Sequence, residues 1–412
     1  MNSLLKFSFV SGLMFLAPVF LTSGLVLAQQ RGETVTERSR PELDPLGVRV
    51  GSFYLYPKLS VTEAYDDNIF RTDSSEEEDF ITVLSPSLRL KSNWNNHSLT
   101  LGARADVGLY GDNSNEDYED YFLDASGVLD ITRRAKAAGS LSYARRHEDR
   151  GDPDDAGGPE PTEYDQFNAA AAFKQKFNRL SATLGVKFLR YDFDDVPTVN
   201  NDDRDRDEYE VYLRLGYEIV PAYEAFILGS FNHRDYDDAV DDDGVNRDSD
   251  GYEVVGGVRI DLSGTAFGDV FIGYEEQDYD DSALDTISGV SIGAALTWNV
   301  SRLTTFKVDI KRTIEETTQT GASGYFATVF GLSVDHELLR NFLVGGKALF
   351  ARNDYEGISR EDDHLGANIY GKYMLSRNLY ATLSYDYRDR DSSIAGDDYT
   401  SNVIMLRLET QY

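Results

Sequence analysis

The segment LTLGARADVGLY, residues 99–110, decides the fold of this chain because its residues alternate between two chemical classes. One set is apolar: Leu99, Leu101, Ala103, Ala105, Val107 and Leu109. The intervening set is polar, small or amphipathic: Thr100, Gly102, Arg104, Asp106, Gly108 and Tyr110. Successive side chains of a strand point to opposite faces, so a period of two over this length predicts a β-strand with one apolar face.

The same alternation recurs across residues 52–412, for example at 209–219 and 379–389. It predicts about 18 strands, within a range of 16–20. With an even number of strands, the start of the first strand and the end of the last strand lie at the same end of the barrel. The predicted strands are 53–66, 80–92, 98–111, 119–131, 136–147, 164–176, 180–193, 208–219, 224–236, 250–262, 267–279, 287–298, 303–316, 324–336, 342–354, 362–375, 379–389 and 400–412.

The connections between these strands alternate between long and short. Four long ones, at 66–79, 148–163, 194–207 and 235–250, hold 28 of the 72 acidic residues in 60 positions. The intervening connections are tight, as in Phe177-Asn178-Arg179. Long loops at one end and short turns at the other are typical of outer-membrane barrels. The pattern therefore predicts an all-β, transmembrane, antiparallel up-and-down β-barrel with acidic loops outside the cell and both termini in the periplasm.

The two ends of the sequence add targeting signals. Residues 1–28 combine Lys6, an apolar run and a small-residue ending at Ala28, the pattern of a secretory signal peptide. Residues 29–51 are predicted to form a periplasmic segment with little regular structure, and residues 52–412 are predicted to form the barrel. The last predicted strand resembles the signal that the barrel-assembly machinery recognises, with Ile404, Leu406, Leu408 and Tyr412 on one face.

Composition excludes several classes of function. Without the signal peptide the chain has 39 basic and 72 acidic residues, a net charge of −33, and such a charge repels nucleic acid. After residue 28 no apolar run approaches the length of a transmembrane helix. The five histidines are not spaced as metal ligands, so no cofactor and no metal are expected.

Charged residues on the polar strand faces are the candidate site residues. Turned toward lipid near the membrane midplane, an arginine or lysine would cost roughly 2–4 kcal/mol, so these side chains are expected to line the lumen. They carry both signs, which predicts a hydrated, partly ion-paired wall. The candidates are Arg104, Asp106, Glu210, Arg214, Arg259, Asp261, Lys307, Asp309, Lys311, Asp386, Arg388, Arg407 and Glu409.

Three motifs raise other chemistries. His147 and His233 each precede an aspartate by two residues near predicted loops, an arrangement that an outer-membrane hydrolase would use. The G-x-S-x-G pattern around Ser291 lies within an alternating strand and lacks the helix that a serine hydrolase requires. The calcium-loop start at 246–251 lacks its closing glutamate. The sequence therefore predicts no enzyme.

Specific stretches resemble a known family. PELDPLGVRVGSF at 41–53, YDDNIF at 65–70, DYEDY at 117–121 and RHEDRGDP at 146–153 resemble the β-barrel porin type 2 family of outer-membrane proteins. Members of that family are often linked with capsule or exopolysaccharide export. The resemblance implies a passive conduit for a secreted polysaccharide that works with periplasmic export proteins.

Two further hypotheses stay open. One is a general or substrate-specific diffusion porin, whose acidic mouth would enrich cations. The other is a structural or adhesive barrel. All three place the chain among outer-membrane lipid and lipopolysaccharide.

Overall fold

Eighteen antiparallel strands form a closed barrel in the computed structural model, which describes residues 32–155 and 157–412. Each barrel strand pairs with its neighbours in the chain, and the last strand pairs with the first through Val403–Asp66 to Gln411–Lys58. Closure leaves no free sheet edge, which is the condition for a sheet to span a bilayer. The predicted all-β barrel of 18 strands is confirmed.

The barrel strands, β2 to β19, follow a short strand, β1, at Val48–Val50. The predicted boundaries agree with the observed ones to within three residues. The barrel strands are Phe53–Asp66, Asp79–Ser92, Ser98–Tyr110, Tyr118–Asp130, Ala135–His147, Glu163–Phe177, Leu180–Phe193, Arg206–Val220, Tyr223–Tyr236, Ser249–Leu262, Ala266–Tyr279, Ile287–Ser301, Thr304–Glu315, Gly324–Leu339, Phe342–Glu356, Glu361–Met374, Leu379–Ser392 and Tyr399–Gln411.

The two faces of the strands differ as the alternation predicts. In β9, Leu213 and Leu215 are 45% and 51% exposed, whereas Tyr212 and Arg214 between them are 8% and 9% exposed. Exposed large apolar side chains recur around the whole outer surface, including Ile227, Ile272, Ile369 and Leu383. This surface is the apolar band that a membrane barrel presents to lipid.

The connections also divide between the two ends. At one end the turns are tight, as at Phe177–Leu180, where Asn178 takes a left-handed φ of 60° that asparagine tolerates better than most residues. At the other end the loops are long and contain two 3₁₀ helices, Ser114–Glu116 and Asp202–Arg204. In the described part of the chain no helix has the length and apolarity to cross a membrane.

Strand β1 lies in the segment that the sequence predicts to have little regular structure. It pairs with β2 through Val48–Leu55 and Val50–Phe53, beyond the point where β19 stops pairing with β2 at Lys58. The signal peptide predicted at 1–28 lies outside the described residues.

Candidate functional site: the lumen and its two mouths

The predicted lumen residues lie on the inner side of the strands, and ten of the 13 have a polar side-chain partner. Arg104 and Asp106 pair with each other at 3.1 Å. The other pairs join Glu210 to Lys187, Arg214 to Glu224, Arg259 to Asp269, Lys311 to Glu315, Asp386 to Asn368, Arg388 to Asp149, Arg407 to Thr62 and Glu409 to Lys58.

The remaining three are Asp261, which interacts electrostatically with Arg259, and the oppositely charged Lys307 and Asp309, which interact electrostatically with each other. The role of all 13 as the wall of a transport path stays a prediction.

The tightest pairs on the wall are charge-neutral and bind neighbouring strands together. Arg259 donates through Nε and Nη2 to the two Asp269 oxygens, both at 2.7 Å, which is the bidentate geometry favoured by arginine and carboxylate. Arg214 Nη1 lies 2.6 Å from Glu224 Oε1, and its guanidinium carbon stacks 4.0 Å from the Phe226 ring centroid. These pairs hold the wall charges in place rather than leaving them free to bind a passing ion.

The sequence analysis missed the partners in these pairs. Lys58, Lys187, Glu224 and Asp269 occupy inward positions of β2, β8, β10 and β12. The same alternation, extended to every strand, identifies them.

The loop between β6 and β7 folds into the mouth at the long-loop end. We call its residues 148–155 the inward loop. Glu148 forms a buried ion pair with Arg204 of the β8–β9 loop. Asp149 lies 3.7 Å from Arg71 Nε and 3.8 Å from Arg388 Nη1, so it joins the inward loop to two other parts of the barrel. Fixed contacts of this kind narrow the mouth.

A second segment turns into the same mouth after β14. The ladder between β13 and β14 starts only at Ile292–Arg312, although β13 itself begins at Ile287. Beyond the ladder, Glu316 is buried and accepts hydrogen bonds from Arg234, Tyr236 and Tyr279. The next residue, Thr317, donates its hydroxyl to Asp154 at 2.5 Å and so contacts the inward loop. The two segments therefore support each other across the mouth.

Burial shifts the acidity of the inward loop. It raises the pKa of Asp155 to about 6, and it raises the pKa of Asp154, against the opposing effect of Arg204. Burial together with the charges of Glu148 and Asp149 holds the pKa of Asp152 well above its usual range. At Asp149 burial also favours the neutral acid, but the guanidinium groups of Arg71 and Arg388 outweigh it and lower the pKa.

The opposite mouth is partly covered by residues 32–50, which we call the N-terminal strap. Val35 is 1% exposed and packs with inward side chains of β16, β17 and β18, namely Leu343, Met374 and Tyr380. Its amide donates to Thr305 Oγ1 at 2.9 Å. Gly32 passes so close to the β11–β12 turn that an added Cβ would lie 2.1 Å from the Gly264 carbonyl oxygen, which only glycine accommodates.

Charged residues fix the strap to the rim. Arg40, buried at 3% exposure, donates to Glu337 at 2.6 Å. Arg340 pairs with Glu42 at 2.6 Å in an exposed position. The strap therefore runs along the inner rim from the β11–β12 turn to β2, and it is ordered by side-chain contacts rather than by regular structure.

The histidines and the serine of the motifs that suggested other chemistries form hydrogen bonds with acidic side chains of other strands. The hydrogen-bond partner of His147 is Asp120, whose Oδ1 lies 2.9 Å from His147 Nδ1, rather than the Asp149 that follows it in the sequence. The His147 ring stacks on Tyr118. His233 Nδ1 contacts Asp250 across β10 and β11. Ser291 lies within β13 and donates its hydroxyl to Glu253. Within residues 32–155 and 157–412, no group of three or more histidine and acidic side chains is arranged to hold a metal.

Solved structures with a similar outline are outer-membrane barrels of Pseudomonas aeruginosa. OpdO matches at 12% identity and a TM-score of 0.46, over 88% of this chain and 98% of that one. OpdL matches at 12% and 0.44, over 88% and 99%. A mutant of the ferric enterobactin receptor PfeA matches at 6% and 0.46, over 87% and 80%. Values this low say nothing about what the present chain transports.

Sequence comparison gives the family. No curated protein matches the chain. The profile of the family described as "Putative beta-barrel porin 2" matches residues 40–412, which include the whole barrel and more than half of the strap. The resemblance found in the sequence is thereby confirmed, and the chain belongs to the beta-barrel porin 2 family of porin-like outer-membrane barrels.

Proposed function

We propose that this barrel is a passive conduit through which a secreted polysaccharide crosses the outer membrane. The observation that carries the proposal is that segments of the chain itself narrow both mouths and are held by buried ion pairs, Glu148–Arg204 at one end and Arg40–Glu337 at the other. A general porin needs a permanently open path. A barrel narrowed at both ends fits a conduit that opens when a partner engages it.

In this proposal the short turns and the strap face the periplasm, and the acidic loops face outward. Periplasmic export proteins would meet the strap, the barrel-assembly machinery would insert the chain, and lipopolysaccharide would surround the loops. The paired wall charges offer hydrogen bonds that a hydroxylated polymer exchanges as it moves, while the driving force comes from the inner membrane. No wall residue needs to act as a catalyst.

The direct test is deletion of the gene in its native host, followed by quantification of surface polysaccharide. We expect a loss that the wild-type chain restores on complementation. Undiminished surface polysaccharide in the deletion strain would contradict the proposal.

A cation-preferring diffusion porin is the second candidate, and the acidic long-loop end favours it. The four acidic loops carry 28 carboxylates, which would concentrate cations at the mouth in dilute salt and lose this effect as salt screens them. Planar-bilayer recordings separate the candidates. A stably open channel with a cation-selective reversal potential supports the porin, whereas a closed barrel supports the conduit.

A further inference from the structure

A chamber of about 150 Å³ lies inside the lumen at the long-loop end. Its lining comes from opposite sides of the barrel: β6 to β10 supply one wall, β14 to β16 supply the other, and the inward loop covers it. An apolar cavity of about this volume holds a benzene ring in another protein, so the chamber accommodates a six-membered ring, and the substituents of that ring would extend into the adjoining mouth. Because it lies between opposite walls, the chamber is on the path through this mouth.

Two buried hydrogen-bond donors in the chamber lack partners. Arg146 is 8% exposed and makes no hydrogen bond or ion pair with any described residue; its guanidinium carbon lies 5.8 Å from the ring centroids of Phe122 and Tyr164. Asn353, on the opposite wall, is 2% exposed, and its Nδ2 has no hydrogen-bond partner in the described part of the chain. Burying such groups unpaired is costly, so each is available to water or to a ligand whose polar groups replace that water.

Acceptors stand beside these donors. The carboxylates of Asp152 and Asp154 line the chamber from the inward loop. Asp154 accepts one hydrogen bond from Thr317, and Asp152 accepts one from the Asp149 amide at 3.3 Å, which leaves acceptor capacity on both. The other charged side chains of the lining are equal in number of each sign, so the chamber does not select a simple anion or a simple cation by charge; they are Arg146, Arg204, Arg206, Glu148, Glu315 and Glu316.

Aromatic rings complete the lining on both walls. Tyr164 stacks with Phe193 at 5.0 Å on one side, and Tyr325 stacks with Tyr355 at 4.8 Å on the other. Tyr191 and Tyr236 add further rings. The chamber therefore offers apolar faces together with separate donors and acceptors, and its ligand must present both an apolar face and groups that donate and accept at once.

A sugar ring has this chemistry, because its C–H face is apolar and each hydroxyl both donates and accepts. We propose that the chamber binds one pyranose unit of a carbohydrate, with Arg146 and Asn353 donating to its oxygens and Asp152 and Asp154 accepting from its hydroxyls. The inference rests on the proposed conduit function and names the point at which the barrel contacts its cargo.

The test uses the purified full-length barrel in detergent and saturation-transfer NMR with D-glucose, D-galactose, N-acetyl-D-glucosamine and D-glucuronate, each titrated separately. We expect at least one sugar to bind, and we expect Arg146→Met and Asn353→Ala to weaken its binding about tenfold or more. Arg146→Lys should recover part of the loss. Arg352→Met is the matched control, since that arginine neighbours Asn353 but is 47% exposed and pairs with Asp363.

Two results would overturn the proposal that the chamber binds a sugar. One is that none of the four sugars binds to the folded wild-type barrel, and the other is that wild type, Arg146→Met and Asn353→Ala bind equally well. Using two variants on separate strands guards against one failing to fold, which heat-modifiable gel mobility reveals. The outcomes also separate the chamber from the conduit. Lost surface polysaccharide with no sugar binding refutes the chamber alone, whereas sugar binding with intact surface polysaccharide refutes the conduit alone.

Discussion

Replacing Arg40 by methionine is expected to release the N-terminal strap from the barrel. The Arg40 guanidinium is 3% exposed, and its partner Glu337 is 7% exposed. Removing one member of a buried ion pair costs roughly 3–5 kcal/mol, because the other charge is left uncompensated. Glu337 keeps two weaker partners, Arg38 at 3.7 Å and Arg340 at 3.9 Å. We therefore expect a smaller loss in docking free energy, about 2–3 kcal/mol.

This loss makes the undocked strap about 30 to 150 times more populated. The chain has no cysteine, so a single Val35→Cys thiol gives a clean reporter of undocking. Val35 is 1% exposed, and a maleimide reagent reaches the thiol only after the strap opens. The labelling rate of Val35→Cys with Arg40→Met should exceed that of Val35→Cys alone by the same factor.

The matched control is Arg340→Met, which removes another arginine from the same interface. Arg340 and Glu42 are 47% and 52% exposed, and an exposed pair contributes about 0–1 kcal/mol. Its labelling rate should rise by no more than about fivefold. Equal rates for the Arg40 and Arg340 variants would refute the reasoning, because burial would then not decide which contact holds the strap.

Three further predictions concern the outer face, the inward loop and the wall. Leu383 is 59% exposed on the lipid face, so Leu383→Lys should lower the unfolding free energy in lipid vesicles by about 2–4 kcal/mol. Ser384→Lys, on the inner face, should lower it by less than about 1 kcal/mol. Equal losses for the two variants would contradict the assigned faces. Burial raises the pKa of Asp155 from 3.8 to about 6, so the folded loop favours the protonated acid, and its packing weakens as pH rises through that interval. Proteolysis of the inward loop should therefore be faster at about pH 7.5 than at about pH 5. Asp155→Asn should reduce this difference without abolishing it, because the pKa values of Asp152 and Asp154 are raised as well, and an unchanged dependence in the variant would contradict the prediction. Arg259→Met leaves the Asp269 carboxylate without its 2.7 Å partner, which adds a negative charge to the wall. In planar bilayers the reversal potential of any open channel should therefore shift in the direction of greater cation selectivity. An unchanged reversal potential would place this pair away from the ion path.

The alternation in the sequence predicts the strands and their faces because both depend on local geometry. A period of two in 99–110 is sufficient to assign β4 and to place Arg104 and Asp106 on the inner side, whatever the rest of the chain does. Hairpin neighbours pair next to one another, so the number and order of strands follow once the segments are known.

The mouths could not be predicted in the same way, since they depend on contacts between distant residues. Glu148 and Arg204 are 56 positions apart, and nothing in either loop's sequence indicates that they meet. The strap gives the same lesson. Proline and mixed charge in residues 29–51 indicate an irregular segment, but burial of Val35 depends on strands β16 to β18 being in place.

The strap also sets the order of events when the barrel is made. Its amide contact at Val35 joins residues 270 positions apart, and the Arg40–Glu337 contact spans 297. Contacts over such separations form late, because chain entropy is lost before the contact compensates for it. A newly inserted barrel is therefore expected to be more permeable at this mouth until the strap docks. The time that docking takes sets how long each new copy leaves the outer membrane permeable at that point.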